Sequence, residues 1–211
     1  MAEVLVYFTF SGGKDMKRLL PVGKIEVVLA LLAVSLLRLP VFADESFFYT
    51  KYNIHVWDHV KRGKHEYHAS YANYTRPDGG HIIIPAGSQI TILDKRRKEF
   101  NFRVESGKEK IEVEFEYHEP RMGMTLDQYL EKITSPKPVS LDHLSSIDKK
   151  GVAEGKALVG MSKEGVITAL GYPATHRTPS LDSGTWIYWT NRFNAISVEF
   201  DEKGKVKGTK D

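Results

Sequence analysis

The strongest constraint on this chain is an alternation of period two in the middle of the sequence. Ile111, Val113, Phe115 and Tyr117 alternate with Glu112, Glu114, Glu116 and His118, which predicts a strand with one buried face and one acidic, solvated face. Phe100, Phe102 and Val104 alternate in the same way with Asn101 and Arg103, and Ser106-Gly107-Lys108 between the two runs predicts a hairpin turn. Upstream, Tyr67, Ala69 and Tyr71 alternate with His68, Ser70 and Ala72. Ile82–Ile84 is a short apolar run, and Gln89–Leu93 places Ile90 and Ile92 on one face. Breaks fall at residues 76–80 and at Pro85-Ala86-Gly87. Five or six short strands with no strong helix predict a small barrel or sandwich over residues 44–123.

The residues before this region read as an address. Lys17, Arg18 and Lys24 precede an apolar run from Val27 to Leu37, and Val41-Phe42-Ala43 ends it with Asp44 following. These are the three zones of a cleaved secretory signal. The run is too short for a membrane span, which needs about 20 apolar residues. Met16 is the more natural start, and the residues before it read as an upstream extension, so residues 1–43 are expected to be extension plus signal. Gly12-Gly13-Lys14 lacks the upstream glycine and following helix of a phosphate loop. The mature chain is then expected in the periplasm or secreted, with no transmembrane span and with outer-membrane association as a further expectation.

Composition matters mainly for what it excludes. The 211 residues contain no cysteine, which removes disulfides, thiolate metal sites, a cysteine nucleophile and a lipidated N-terminal cysteine. The formal charge is +3, but residues 1–43 carry five Lys/Arg and three Asp/Glu, leaving 25 and 24 in the remainder. That balance gives no reason to expect a nucleic-acid partner. His55-x3-His59 and His65-x2-His68 have chelating spacings. On a strand, however, residues three apart face opposite ways, so solvated or hydrogen-bonded histidines are expected and no metal. No nucleophile elbow, HExxH or GxGxxG is present. The expectation is no catalytic residue, no cofactor and no enzyme.

Beyond Arg121-Met122-Gly123-Met124, Thr125 is placed to cap a helix through Leu126, Tyr129, Leu130 and Ile133, and Ser135-Pro136-Lys137-Pro138 stops it. Residues 124–140 thus read as a helical linker, with Ser140 opening a second helix through Leu141, Leu144 and Ile147. Ser162 is a further N-cap, ahead of a short helix carrying Val166, Ala169 and Leu170. Gly171 and Pro173 end it. Trp186 and Tyr188 share one strand face, Ile187 and Trp189 the other. Residues 190–194 turn the chain into Ile196, Val198 and Phe200, and residues 201–205 form a second hairpin turn with glycine at position 204.

Four ordered motifs in this last third carry a resemblance. Gly160-Met161-Ser162-Lys163-Glu164-Gly165-Val166, Leu170-Gly171-Tyr172-Pro173, Trp186-Ile187-Tyr188-Trp189 and Phe200-Asp201-Glu202-Lys203-Gly204-Lys205-Val206 look like the SmpA/OmlA (BamE-like) domain over residues 141–211. The resemblance implies an α-α-β-β-β fold without catalysis and a role in outer-membrane protein assembly or envelope integrity. Its members are typically tethered through an N-terminal cysteine, which this chain lacks. Ile84-Pro85-Ala86-Gly87-Ser88-Gln89-Ile90 resembles the turn that opens a strand in bacterial SH3-like domains, implying a peptide- or cell-wall-binding barrel whose Tyr67, Tyr71 and Tyr74 line a groove.

The combined expectation is α+β: a small SH3-like β-barrel followed by a two-layer α-α-β-β-β domain. Gly160, Met161, Ser162, Gly171, Pro173, Trp186, Tyr188, Phe200 and Gly204 read as structural. Trp189, Arg192, Phe193, Tyr67 and Tyr71 are the candidate contacts for partner proteins of the envelope, the outer-membrane assembly machinery among them. The alternative reading is a secreted inhibitor-like or cell-wall-recognition protein.

Overall fold

The computed structural model of the protein describes residues 47–76, 80–105 and 110–211. The expected secretory segment, the start at Met16, and the turns expected at residues 77–79 and 106–108 lie outside the described residues. These described residues form one compact unit.

Eight strands make one curled sheet. In chain order they are β1 (Phe47–Thr50), β2 (Ile54–Lys61), β3 (Lys64–Ser70), β4 (Gly80–Ile84), β5 (Gln89–Arg96), β6 (Glu99–Val104), β7 (Ile111–Glu116) and β8 (Thr134–Ser135). Their order across the sheet is β4-β2-β3-β7-β6-β5-β1-β8. Every neighbour is antiparallel except β3 and β7, which run parallel with Tyr67 beside Val113 and Ser70 beside Glu116. The apolar residues of the alternating runs fill the inside of the curl. Ile54, Val56, Ile90, Phe100, Phe102, Val113 and Phe115 are buried there, each burial stabilising by about 1.5–3 kcal/mol.

Two helices close this core, α1 (Glu119–Met122) and α2 (Leu126–Ile133). Thr125 caps α2 through a reciprocal pair of bonds with Gln128. Tyr129 and Ile133 face the core, where the Tyr129 hydroxyl meets that of Tyr52 at 2.8 Å. The helix then runs directly into β8, and Thr134 pairs with Thr50.

Helices α3 (Ser146–Glu154) and α4 (Lys163–Leu170) pack against a second sheet of β9 (Thr185–Trp189), β10 (Ala195–Phe200) and β11 (Val206–Lys210), ordered β11-β10-β9. The N-cap of α3 is Ser145, five residues later than the expected Ser140, because the Ser140 hydroxyl instead closes a local turn with Asp142. Asp148 accepts from the Ser162 N–H (2.7 Å) and from the Ser145 hydroxyl (2.7 Å). Burial pushes the Asp148 carboxyl upward, but these bonds and nearby Lys205 outweigh it, and its pKa lies below the ordinary value.

The expected α+β architecture is therefore corrected: the described chain is mostly β, with eleven strands and four short helices. The upstream strands do not close a small SH3-like barrel. Alternation predicts which residues face inward but not which strands pair. Here β1 and β8 extend the sheet, and the parallel β3–β7 junction joins two antiparallel parts. Nor do the last 70 or so residues stand apart as an α-α-β-β-β domain, because the end of α4 is bonded into the loops of the large sheet.

That joint is built from three polar residues on the sheet side. The last carbonyls of a helix have no partner within it. At α4, Thr168 O accepts from the Asn53 N–H (2.8 Å), Ala169 O from His55 Nε2 (2.9 Å) and Leu170 O from Asn73 Nδ2 (2.7 Å). Asn53 Nδ2 also donates to Val152 O in α3 (2.7 Å). Asn73, held at φ 44°, accepts the His55 N–H through its side-chain oxygen. Gly171 follows at φ 78°, and a Cβ there would lie 2.9 Å from both Asn73 Nδ2 and Tyr52 Cε2. Only glycine satisfies both the left-handed backbone and that close approach.

Candidate functional site

The candidate contacts do not all converge. Trp189 ends β9 half-buried against the large sheet's core, and its carbonyl accepts the Thr75 N–H at 3.1 Å. Arg192 and Phe193 occupy the β9–β10 turn. There the Asn191 side-chain oxygen accepts from the N–H groups of both Phe193 and Asn194 at 2.9 Å, an Asx arrangement that fixes the turn. It presents Phe193 outward, 80 % exposed. Tyr71 is buried just beyond β3, and Arg121 of α1 donates to its hydroxyl. Tyr67 lies roughly 13 Å back along the strand. It is packed on the core and stacked with His65, so it is not part of this cluster.

Trp189, Arg192 and Tyr71 are brought onto one face by four segments: the exit of β3, α1, the turn after Pro173 and the end of β9. The stitching is hydrogen bonding to backbone carbonyls. Arg76 N–H donates to Thr190 O (2.8 Å), His176 N–H to Arg121 O (3.2 Å), and the Thr175 hydroxyl to Met122 O (3.0 Å). The Arg177 guanidinium lies 5.6 Å from the Trp189 ring centre, and that of Arg121 lies 6.0 Å from the Tyr71 ring centre, within cation–π range. Tyr74, half-buried, lies near Tyr71, Arg121 and Arg192. Burial holds its phenol above the ordinary range, Tyr71 and Glu116 push the same way, and Arg192 and Arg121 oppose. For His176, burial and the charges of Arg121, Arg177 and His118 lower the pKa, against the Arg121 carbonyl that raises it.

Electrostatically this face is unusual for a chain with nearly balanced charge. Arg121, Arg177, His176 and Arg192 are all exposed. Among the described residues, no ion pair engages any of the three arginines, and the guanidinium groups of Arg177 and Arg192 make no hydrogen bond. Arg76 at the border is paired with Asp211 at 2.8 Å. Sequence reading passed over Arg121, Arg177 and His176. They lie far apart in the chain in unremarkable contexts, and only the folding of α1 and the 174–177 turn against β9 assembles them.

The remaining sequence features are structural in their placement. Trp186, Tyr188, Phe200 and Met161 are buried in the second core, and the Tyr188 hydroxyl donates to Gly171 O (3.1 Å). Pro173 is buried beside it. Ser162 caps α4 by accepting from Gly165 N–H (3.0 Å). Gly160 (φ 92°) and Gly204 (φ 70°) hold the turns that bring residue 161 to Val206.

The histidines divide. His55 is 2 % exposed. Because Ala169 O accepts only, His55 Nε2 carries the proton, and Nδ1 accepts from His81 Nε2 at 3.0 Å. Burial pushes His55 down to about 4, with nearby His81 adding to the effect and the Ala169 carbonyl opposing it. His59 is exposed beside Trp57, and His65 bonds Asp58 at 2.8 Å. His68 lies 6.0 Å from the Trp57 ring centre, so the two members of each chelating-spaced pair, His55/His59 and His65/His68, meet different neighbours.

Compared with known protein families, characterised proteins and solved structures, the chain finds no match.

Proposed function

We propose that this is a non-enzymatic protein of the bacterial envelope that binds other proteins through the face around Trp189, Arg192 and Phe193. The carrying observation is Phe193, a large apolar side chain 80 % exposed on a turn fixed by Asn191. A large apolar side chain held outward beside Arg192 in the same turn fits a partner anchor, since aromatics and arginine dominate binding hot spots. The envelope assignment rests on the three-zone segment at residues 17–43 and on the motif likeness to SmpA/OmlA proteins. Outer-membrane assembly components are the partners that likeness suggests.

Crosslinking and capture from native envelopes test the reading. Envelope proteins captured by the wild type are expected to be lost with Trp189→Ala, Arg192→Ala and Phe193→Ala, while Arg192→Ala and Phe193→Ala keep the wild-type melting temperature. Equal capture by all four proteins overturns the site. Fractionation is expected to give a periplasmic form starting near Asp44, and full-length chain in the cytosol would overturn the location.

A further inference from the structure

We infer that the partner element read by this face is an acidic peptide segment, whose carboxylates are gripped by Arg121, Arg177 and Arg192. This rests on the protein-binding reading above and names the chemistry it leaves open.

Among the described residues Arg177 and Arg192 make no ion pair, and with Arg121 they gather positive charge on one face, an arrangement relieved by an anion. Two of them are also held in advance, Arg121 by its bond to the Tyr71 hydroxyl and Arg177 by its place over Trp189. Side-chain ordering, a principal cost of binding through arginine, is thereby met within the fold. Among the described residues the guanidinium forks of Arg177 and Arg192 make no hydrogen bond, and fork geometry matches a carboxylate through two parallel bonds. The aromatic surfaces of Tyr74 and Trp189 beside these arginines, and the exposed Phe193 next to Arg192 in the turn, suit the apolar parts of a peptide.

The borders of the face decide between an acidic peptide and a larger polyanion. Glu116 acts on both Arg121 and Tyr74, and it continues into the solvated row Glu114 and Glu112 along β7. Asp211 closes the side at Arg76. A bilayer surface or a nucleic acid extends charge over many nanometres and would meet these carboxylates. A short segment with a few Asp or Glu residues needs only the face itself.

The test is calorimetric titration of the full chain with a synthetic Asp/Glu-rich peptide, beside the same peptide with Asn and Gln. The acidic peptide alone is expected to bind, and binding should weaken as salt is raised. Its amide NMR perturbations are expected at Tyr74, Trp189 and Arg192. Each Arg→Gln substitution at 121, 177 or 192 is expected to weaken binding by about two- to fivefold, and the triple variant by about tenfold or more. Arg62→Gln on the distant β2–β3 turn is expected to change nothing.

Equal binding of the neutral peptide, or binding unaffected by the triple variant, overturns the inference. So does binding to phosphatidylglycerol vesicles or single-stranded DNA without binding to the acidic peptide. Loss of envelope capture in Phe193→Ala with no acidic-peptide binding leaves the protein-binding reading standing and removes this one. Acidic-peptide binding with no envelope partner captured does the reverse.

Discussion

Two polar regions of this protein, both assembled from distant segments, keep opposite accounts of their hydrogen-bonding groups. At the end of α4, Asn53, His55 and Asn73 are buried and paired with helix carbonyls. On the face around Trp189, three arginines are exposed and make no ion pair among the described residues. Polar groups satisfied inside the protein stabilise it and are unavailable to anything else. Polar groups held in place but unsatisfied contribute little to stability and are available to a ligand. The difference separates a joint from the face proposed for binding without reference to residue type.

The comparison breaks most directly at Asn73. Asn73→Ala strands Leu170 O and the His55 N–H in a buried site, and the expected loss is about 4 kcal/mol, read by urea unfolding. A loss under about 1 kcal/mol would show that the joint does not carry the stability assigned to it.

A slightly smaller effect is expected from pH. The folded value of His55, about 4, lies below the ordinary 6.5. The unfolded chain therefore binds the proton first, and stability falls as pH drops through that window. The neutral ring's contribution is complete above pH 6.5 and is lost as pH falls through 4, amounting to about 3 kcal/mol. Carboxylates titrate in the same range, so the readout is the difference in pH slope between the wild type and His55→Gln. Parallel slopes would refute the buried neutral ring.

Gly171→Ala sharpens the same side. Its left-handed backbone and the contacts at 2.9 Å predict a loss of about 2 kcal/mol by thermal unfolding. The smallest effects belong to the other region. Arg177→Gln, Arg192→Gln and Phe193→Ala should leave stability within about 0.5 kcal/mol of wild type. A large loss from any of them would make the face structural and erase the contrast.

What the sequence disclosed follows the range of the interaction. The alternating runs of β6, β7 and β10, the Thr125 and Ser162 caps and the stop at Gly171 all depend on residues within a few positions of one another, and each was legible. Strand pairing was not. Nothing local marks β3 and β7 as parallel neighbours, or Thr134–Ser135 inside a supposed linker as a strand, and the small barrel expected from strand spacing gave way to an eight-stranded sheet. At the candidate site, the aromatic strand and its turn directed attention to Trp189, Arg192 and Phe193. Arg121 and Arg177 needed the tertiary contacts of α1 and the 174–177 turn to come into view.

The parallel junction of β3 and β7 also sets an order of events. The hairpin of β2 and β3 and the meander of β5, β6 and β7 each form from neighbouring residues, and each can zip from its own turn. Joining them closes a loop of roughly 45 residues, with Tyr71 N–H reaching Glu116 O at 2.9 Å beyond the last paired residues. Until that closure, both strands present open edges and half of the core is exposed to water. Within the large sheet this seam is therefore a place where slow pairing, and mispairing with another copy, are expected.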